Sequence, residues 1–457
     1  MSMNLIAELT AIVGDKGILT GEDVSQRQDG WIGAPACSAQ AIVRPADTAE
    51  LSAVMKLCYE QDQTIVVHGG LTGLVNGART TSNDIVISLE RMRNIVEIDA
   101  QNRTMTVQSG VNLQTVQEKA EDEGLYYPVD LGARGTATIG GTIATNAGGN
   151  RVLRYGMTRD SILGLEAVLA DGTIISSMSK VLKNNTGYNL PHLFIGAEGT
   201  LGIVTQAVLR LRAKPLGGAT ALVAVEDFES LSKLLNLAES GLGGGLSSFE
   251  VMWHSFYDLV TGTERHRAPI PAQSAYYVII ETQGNSNEQE QERLEMLLGD
   301  ALEQELISDA VLTQSDSERE KIWAIRDDVE ALFELAPIHG FDVSLPISAM
   351  ESYVEKLQAG LDARWPDNRL IVFGHLGDGN LHVIVTQVPA SDKKGVEELV
   401  YGGLNGLGGS ISAEHGIGLD KKPYLQNSRS PAEIALMKQI KQTMDPKGLL
   451  NPGKVLS

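Results

Sequence analysis

Three of the chain's eight histidines fall in two short segments of its C-terminal third. The run Gly374-His-Leu-Gly-Asp-Gly-Asn-Leu-His-Val-Ile-Val385 reads as strand, glycine turn, strand. A turn at Gly377-Asp378-Gly379 brings His375 and His382 near one another across a hairpin. Further on, Ser412-Ala-Glu-His-Gly-Ile-Gly418 sets a carboxylate, Glu414, beside an imidazole, His415. Two imidazoles and a carboxylate leave an open coordination position, which suits a catalytic Zn²⁺ or a similar divalent ion such as Mn²⁺. The residues alone leave a second reading open, in which His375 and His382 are hydrogen-bonded core groups.

A different chemistry is written in glycine. Pro128 to Gly156 holds two glycine pairs, Gly140-Gly141 and Gly148-Gly149, around the uncharged run Thr142-Ile-Ala-Thr-Asn-Ala147. Small residues let backbone approach a ligand, and exposed amides in such turns make nests for phosphate oxygens. Thr64-Ile-Val-Val67 reads as a strand running into His68-Gly-Gly-Leu-Thr-Gly73, the way a fold presents N–H groups to a diphosphate. Phe194 to Val204 has small residues at 196, 197, 199 and 202. Each stretch has a plainer alternative, a tight corner or a close strand-helix packing. No G-x-G-x-x-G occurs, so a Rossmann dinucleotide site is unsupported. The near match Gly448-Leu-Leu-Asn-Pro-Gly-Lys-Val455 lacks the Ser/Thr of a P-loop and leaves no room for the helix that must follow.

The elements that must hold these groups follow from composition and periodicity. A chain of 457 residues is too long for one core and predicts two domains or three. A net charge of −21 argues against a nucleic-acid or anionic-membrane surface, so an anionic substrate needs a local cationic site. Two cysteines, Cys37 and Cys58, make no metal or redox spacing. No uncharged run reaches membrane-spanning length, and the N-terminal residues lack the arginines of a transit peptide; the expectation is a cytoplasmic protein.

Residues 1–34 read as a short helix and an irregular arm. Ala41 to Pro45 is strand-like, and Thr48 to Tyr59 is helical with Thr48 as N-cap. Strands are expected at 84–88, 95–98 and 104–108, a helix over 113–123, and a hairpin of 162–169 with 173–175. From about 216 a second alternation begins: strands at 220–225, 248–252 and 276–282, helices over 228–242 and 287–306. Gly241 to Gly245 reads as a mobile connection. Ser430-Pro-Ala-Glu433 carries an N-cap, a first-turn proline and a capping-box glutamate for a helix ending near Asp445.

In combination the motifs HGGLTG (68–73), IGGTIATNAGG (139–149), RYG (154–156), NNTGYNL (184–190), IGAEGTLGIVT (195–205), GHLGDGNLH, AEHGIG and LLNPGKV resemble the FAD-linked oxidases of the vanillyl-alcohol-oxidase/PCMH type. Within them the chain is similar to the D-lactate dehydrogenase, glycolate oxidase D-subunit and D-2-hydroxyglutarate dehydrogenase branch. The likeness runs from about residue 35 to the end.

That resemblance implies an α+β, two-domain fold: an FAD-binding PCMH-type domain over 35–215, a ferredoxin-like α+β cap over 216–410, and a segment 411–457 completing the site. It implies that His68, Gly69, Gly70, Leu71, Thr72 and Gly73 hold the FAD diphosphate. Pro128, Thr136, Thr138, Ile139, Gly140, Gly141, Thr145, Asn146, Gly148, Gly149 and Tyr155 would line the adenosine and isoalloxazine, with Glu198, Gly199, Gly202, Ile203, Val204 and Asn451. Relatives with covalent flavin often carry a histidine just after the glycine pair; Leu71 stands there, so non-covalent FAD is expected. His375, His382 and Glu414 match the metal ligands of 2-hydroxyglutarate-type members, and His415 their base. Imidazole titrates near working pH, which suits it to take the hydroxyl proton.

Asn380 is then expected to donate to substrate or flavin, and Arg326 to clamp a carboxylate with its planar fork. On sequence alone an ion pair of Arg326 with neighbouring aspartates on a helix surface is the competing account. Two positions depart from the 2-hydroxyglutarate pattern, where Glu330 and Gly340 stand for a threonine and a lysine. Loss of that lysine shifts the expected substrate toward a monocarboxylate such as D-lactate. The implied activity is oxidation of a small anionic D-2-hydroxy acid to the 2-keto acid by hydride transfer to flavin N5. Electrons then pass to an acceptor such as an electron-transfer flavoprotein, a quinone or a cytochrome, and a homodimer is one assembly open to the chain. Rival accounts are an oxidase using O₂, a non-catalytic flavoprotein subunit, and a metal hydrolase that would have no use for the glycine loops.

Overall fold

Apolar runs without alternation must be covered on both faces, and Ala41–Val43, Ile65–His68 and Ile85–Ser88 behave accordingly. In the computed structural model, which describes residues 2–31, 33–262 and 265–456, they lie parallel in a four-stranded sheet with Ile18–Thr20 at its edge. The helix Thr48–Glu60 connects two of them. Its N-cap is Asp47, one residue earlier than expected, whose carboxylate accepts from the Glu50 N–H at 2.9 Å. The Thr48 hydroxyl donates instead to Glu166 at 2.7 Å. A second, antiparallel sheet runs in the order Ile95–Asp99, Thr104–Gln108, Ile203–Arg210, Ile162–Val168, Ile174–Ser177.

Both sheets belong to one unit, formed by Met1–Gly149, Gly156–Lys214 and Glu414–Ser457. The helix Ser2–Val13 is not a free arm, because Leu5, Leu9 and Val13 are buried in the same cluster as Leu51, Val54, Met55 and Cys58. The returning C-terminal segment adds Leu450 to that cluster. The stretch expected as loop contains a helix, Ile139–Thr145, with Gly140-Gly141 in its first turn and Thr138 as N-cap. Asn146, at φ 51°, ends it in the left-handed conformation that asparagine tolerates.

The second unit is Asn150–Tyr155 with Pro215–Ala413. Its seven-stranded antiparallel sheet has the order Asp309–Leu312, Gly217–Val225, Tyr276–Gly284, Leu246–Trp253, Arg369–His375, Asn380–Thr386, Ile338–Ser344. The helices Phe228–Leu242, Asn287–Glu303 and Ile347–Arg364 complete the α+β layer. The Gly241 to Gly245 run forms the end of the first of these and a single 3₁₀ turn, where Gly243 adopts φ 54°. Leu222, Met252, Phe256, Tyr277, Ile279, Ile325, Ile371 and Phe373 form this unit's core. Tyr155 falls in this unit, not with the other expected cofactor residues. Its hydroxyl donates to Gln283 at 3.0 Å, while Arg154 donates to the Gln283 carbonyl at 2.5 Å. Among the described residues, no helix is long and apolar enough to cross a membrane.

Candidate functional site

In the first unit the strand Ile65–His68 delivers its following loop to a cavity of about 310 Å³. Gly69, Gly70 and Leu71 are among its lining residues, together with Thr136, Thr138 and Arg93. Among the described residues, the N–H groups of Gly70, Leu71, Thr72 and Gly73 donate no hydrogen bond within the protein. Such a run of free amides is a nest for anionic oxygens.

The glycines here serve loop-to-loop closeness as much as any ligand. A Cβ on Gly70 would lie 2.2 Å from the Thr136 carbonyl oxygen, and one on Gly140 2.7 Å from Ser109 Cβ. Gly149, at φ 135°, would press a Cβ to 2.0 Å from the Asp130 carbonyl. The left-handed residue of the 68–73 loop is Leu71, at φ 56°, and not a glycine. His68 is buried, with Nε2 2.8 Å from the Ala78 carbonyl; burial holds its pKa below the usual imidazole value, so the neutral ring braces the loop. Thr145 donates to the Gly141 carbonyl at 3.1 Å, and the Ser109 hydroxyl, buried beside Gly140, has no partner in the protein.

Two of the expected cofactor residues act as clamps. Asn451 accepts from the Val67 N–H at 3.0 Å and donates to the Glu198 carbonyl at 2.6 Å, so its amide joins two backbone segments. The Glu198 carboxylate accepts from the N–H groups of Ile417 and Gly418 at 2.6 and 2.9 Å. Burial raises its pKa although those two bonds favour the ionised form. Gly416 and Gly418 are needed for this fit: a Cβ would come within 2.9 Å of the Glu198 carboxylate and 2.1 Å of the Val75 carbonyl. The segment that opens with half-buried Glu414 and His415 is thereby pinned to its unit. Gly199 and Gly202 again prevent close clashes, with Asn451 Nδ2 and the Phe194 ring, and Ile203 and Val204 begin a buried strand.

In the second unit the expected hairpin forms: Arg369–His375, a 3₁₀ turn over Leu376–Asp378, then Asn380–Thr386. Nε2 of His375 and Nε2 of His382 face one another at 3.4 Å. Behind His375, Nδ1 lies 2.7 Å from Oε1 of Glu250, on the neighbouring strand Leu246–Trp253. The other Glu250 oxygen accepts from Arg326 Nε at 3.0 Å and lies 3.0 Å from Nη2 in an ion pair. Glu250 is 1% exposed and Arg326 4%. Burial pushes the Glu250 carboxyl up, but the charges and hydrogen bonds of His375 and Arg326 outweigh it and hold the pKa below the usual range.

Arg326 therefore departs from the helix-surface account, and part of its fork is taken by a carboxylate of the protein itself. It is neither paired with its neighbouring aspartates at a surface nor free to present its whole fork, because a guanidinium buried over the Phe373 ring must be neutralised where it sits. Asn380 differs too. Its Nδ2 donates to Asp342 at 2.6 Å, leaving the buried Oδ1 as an unpartnered acceptor. Asp342 also stands 3.9 Å from His382 Nδ1. Glu250 was absent from the sequence expectations, although it is the one carboxylate in the strand LSSFEVMW, every residue of which but Trp253 is buried.

The pair of imidazoles fits a metal ion. Two nitrogens each about 2.05 Å from a tetrahedral ion stand about 3.4 Å apart. A buried carboxylate accepting from the far ring nitrogen is the arrangement that orients histidine ligands. The cradle likewise fits a diphosphate in its free amides and cavity.

Residues 214–455 match the family described as FAD linked oxidases, C-terminal domain, and residues 39–177 match an FAD binding domain. A D-2-hydroxyglutarate dehydrogenase of Xanthomonas citri pv. viticola is 40% identical over 91% of this chain and 89% of its own. A putative mitochondrial D-lactate dehydrogenase of Schizosaccharomyces pombe is 36% identical over 93% of this chain and 83% of its own. Among solved structures, p-cresol methylhydroxylase with substrate bound is similar, with a TM-score of 0.77 at 16% identity over 99% of this chain and 96% of that one. At that identity the likeness shows the PCMH-type fold alone.

Proposed function

We propose that this chain, which belongs to the FAD-linked oxidase family, oxidises a D-2-hydroxy acid to the 2-keto acid. The observation that carries the reading is the pair of Nε2 atoms 3.4 Å apart with Glu250 behind one of them, in a chain whose other unit is an FAD-binding domain. Relatives named for D-2-hydroxyglutarate and for D-lactate support the substrate class.

The free amides of Gly70 to Gly73 would hold the diphosphate, and bound FAD would supply the acceptor for the hydride leaving Cα. With no histidine at Leu71, and His68 buried against Ala78, the flavin is held without a covalent bond. His375 and His382, joined by Glu414, would hold a divalent ion, Zn²⁺ by preference, whose charge lowers the pKa of the substrate hydroxyl. His415 takes the hydroxyl proton as the C–O bond becomes C=O. Glu198 keeps that histidine's segment in place, which turns a collision into a held geometry. Asn380 Oδ1, the acceptor left over from the Asp342 bond, receives a hydrogen bond from the substrate. Electrons leave to a protein or quinone acceptor.

Anaerobic titration of the purified flavoprotein with D- and L-lactate and D- and L-2-hydroxyglutarate tests this. A D-acid should bleach the flavin spectrum and its L-enantiomer should not. A colourless protein that FAD does not reconstitute, or bleaching by neither D-acid, overturns the reading.

A further inference from the structure

We infer that Glu250 is a positioning residue that selects which nitrogen of His375 carries the proton, and so keeps the metal position open. The inference rests on the metal-assisted reading above and goes beyond it. A neutral imidazole has one N–H and one lone pair, and the hydrogen bond at one nitrogen decides the role of the other. At His375 the question is settled on the Nδ1 side, since an ionised Glu250 oxygen 2.7 Å away can only accept. The proton sits on Nδ1, and the Nε2 lone pair points at His382.

The other half of Glu250 is equally constrained. Arg326 is donor-only and directs Nε and Nη2 at the same carboxylate from the side away from His375. Glu250 must therefore accept on both oxygens. An amide of the same shape cannot do so. In Glu250→Gln, keeping the carbonyl toward Arg326 turns the NH₂ toward His375 Nδ1. Nδ1 must then accept, and the proton moves to Nε2. His375 Nε2–H would next donate to His382 Nε2 across the 3.4 Å gap, closing with a hydrogen bond the place where an ion would bind. The opposite amide orientation sets NH₂ against a guanidinium that is itself donor-only, so donor faces donor, which costs more. The variant keeps the side chain's shape but leaves the Arg326 charge without its partner, so it should lose some stability along with its metal.

The Phe373 ring keeps this arrangement dry on one side. It lies 4.8 Å from the Arg326 guanidinium carbon and 4.9 Å, centroid to centroid, from the His382 ring. Water is poorly placed to replace the missing acceptor. A shorter carboxylate is a different matter. Glu250→Asp keeps both acceptor oxygens and should restore part of the metal affinity through a longer reach.

The test uses the full-length flavoprotein, stripped of metal with a chelator and titrated with Zn²⁺ against a chromogenic competitor. Glu250→Gln should bind Zn²⁺ about 10–100-fold more weakly than the unmodified protein at unchanged FAD content, with Glu250→Asp between them. Equal Zn²⁺ affinity in Glu250→Gln overturns the inference and leaves the proposed function standing. No Zn²⁺ uptake by the unmodified protein overturns the metal reading itself. Should Glu250→Gln lose its FAD and fold, the metal-free unmodified protein labelled with ¹⁵N-histidine still decides. His375 should show a protonated Nδ1 and an unprotonated Nε2, and the reverse pattern would sink the proposal.

Discussion

The two units solve the problem of making a site in opposite ways. The cradle of the first is built from backbone, as amides at 70–73 left free by glycines that let one loop lie on another. The cluster of the second is built from side chains, with Glu250, Arg326, His375, His382, Asp342 and Asn380 bonded into one buried network. Backbone sites tolerate many side chains but no added bulk at the glycines. A side-chain network tolerates bulk elsewhere but no change in who donates and who accepts. The two should therefore fail differently, the first by losing FAD and the second by losing rate with FAD in place.

His415→Asn should produce the largest effect. The side chain belongs to the cradle's unit, yet its proposed task is proton transfer and not binding. Flavin reduction by a D-2-hydroxy acid, followed by anaerobic stopped flow, should slow by about 10²–10⁴-fold with FAD and metal content unchanged. Rapid bleaching in this variant would move the base elsewhere. His375→Ala comes next: it should release the metal, weakening Zn²⁺ binding by more than the roughly 100-fold that loss of an outer partner costs. The visible FAD spectrum should be kept. Unchanged turnover in metal-free protein would remove the ion from the mechanism and erase the contrast between the two units.

The same contrast explains what was legible in the sequence. A need for glycine is local. HGGLTG, IGGTIATNAGG and AEHGIG mark close backbone passages because nothing larger fits at Gly70, Gly140 and Gly416. The hairpin joining His375 to His382 was legible for the same reason, since seven residues and a glycine turn bring them together. Glu250 and Arg326 were not legible as a pair. They are 76 residues apart, and Glu250 is 125 from His375, so only the sheet order brings them together. An isolated carboxylate in an otherwise uncharged strand was the available signal, and it would have named Glu250 without naming its partners. Asn451 was legible as important but not in its action, which is to staple Val67 to Glu198. Tyr155 was grouped by motif with the cofactor residues, yet its hydroxyl is held by Gln283.

A smaller effect tests the backbone site directly. Gly70→Ala forces a Cβ to 2.2 Å from the Thr136 carbonyl, which cannot move as a side chain could. It should destabilise the apoprotein by about 1–3 kcal/mol and weaken FAD retention. Gly73→Ala is the matched control, because a Cβ there meets nothing within 4 Å. Its melting temperature should stay unchanged without FAD. Equal destabilisation by both substitutions would mean that flexibility of the loop matters, not the closeness of its approach.

The smallest expected effect concerns substrate size. Gly340 lies two residues from Asp342 in the strand Ile338–Ser344, so the two occupy the same face of the sheet. Gly340 gives that face no cation for a second carboxylate, and the nearest side-chain atom to its missing Cβ is Ile384 Cδ1 at 3.4 Å. With only one carboxylate specifically bound, D-lactate and D-2-hydroxyglutarate should differ in kcat/KM by no more than about tenfold, roughly 1.4 kcal/mol. Gly340→Lys should then favour the diacid by restoring a charge on that face. A diacid preference far beyond tenfold in the unmodified protein would require another cation for the second carboxylate. The side-chain site would then extend past the network described here, because an added anion bound without a partner charge pays its full desolvation.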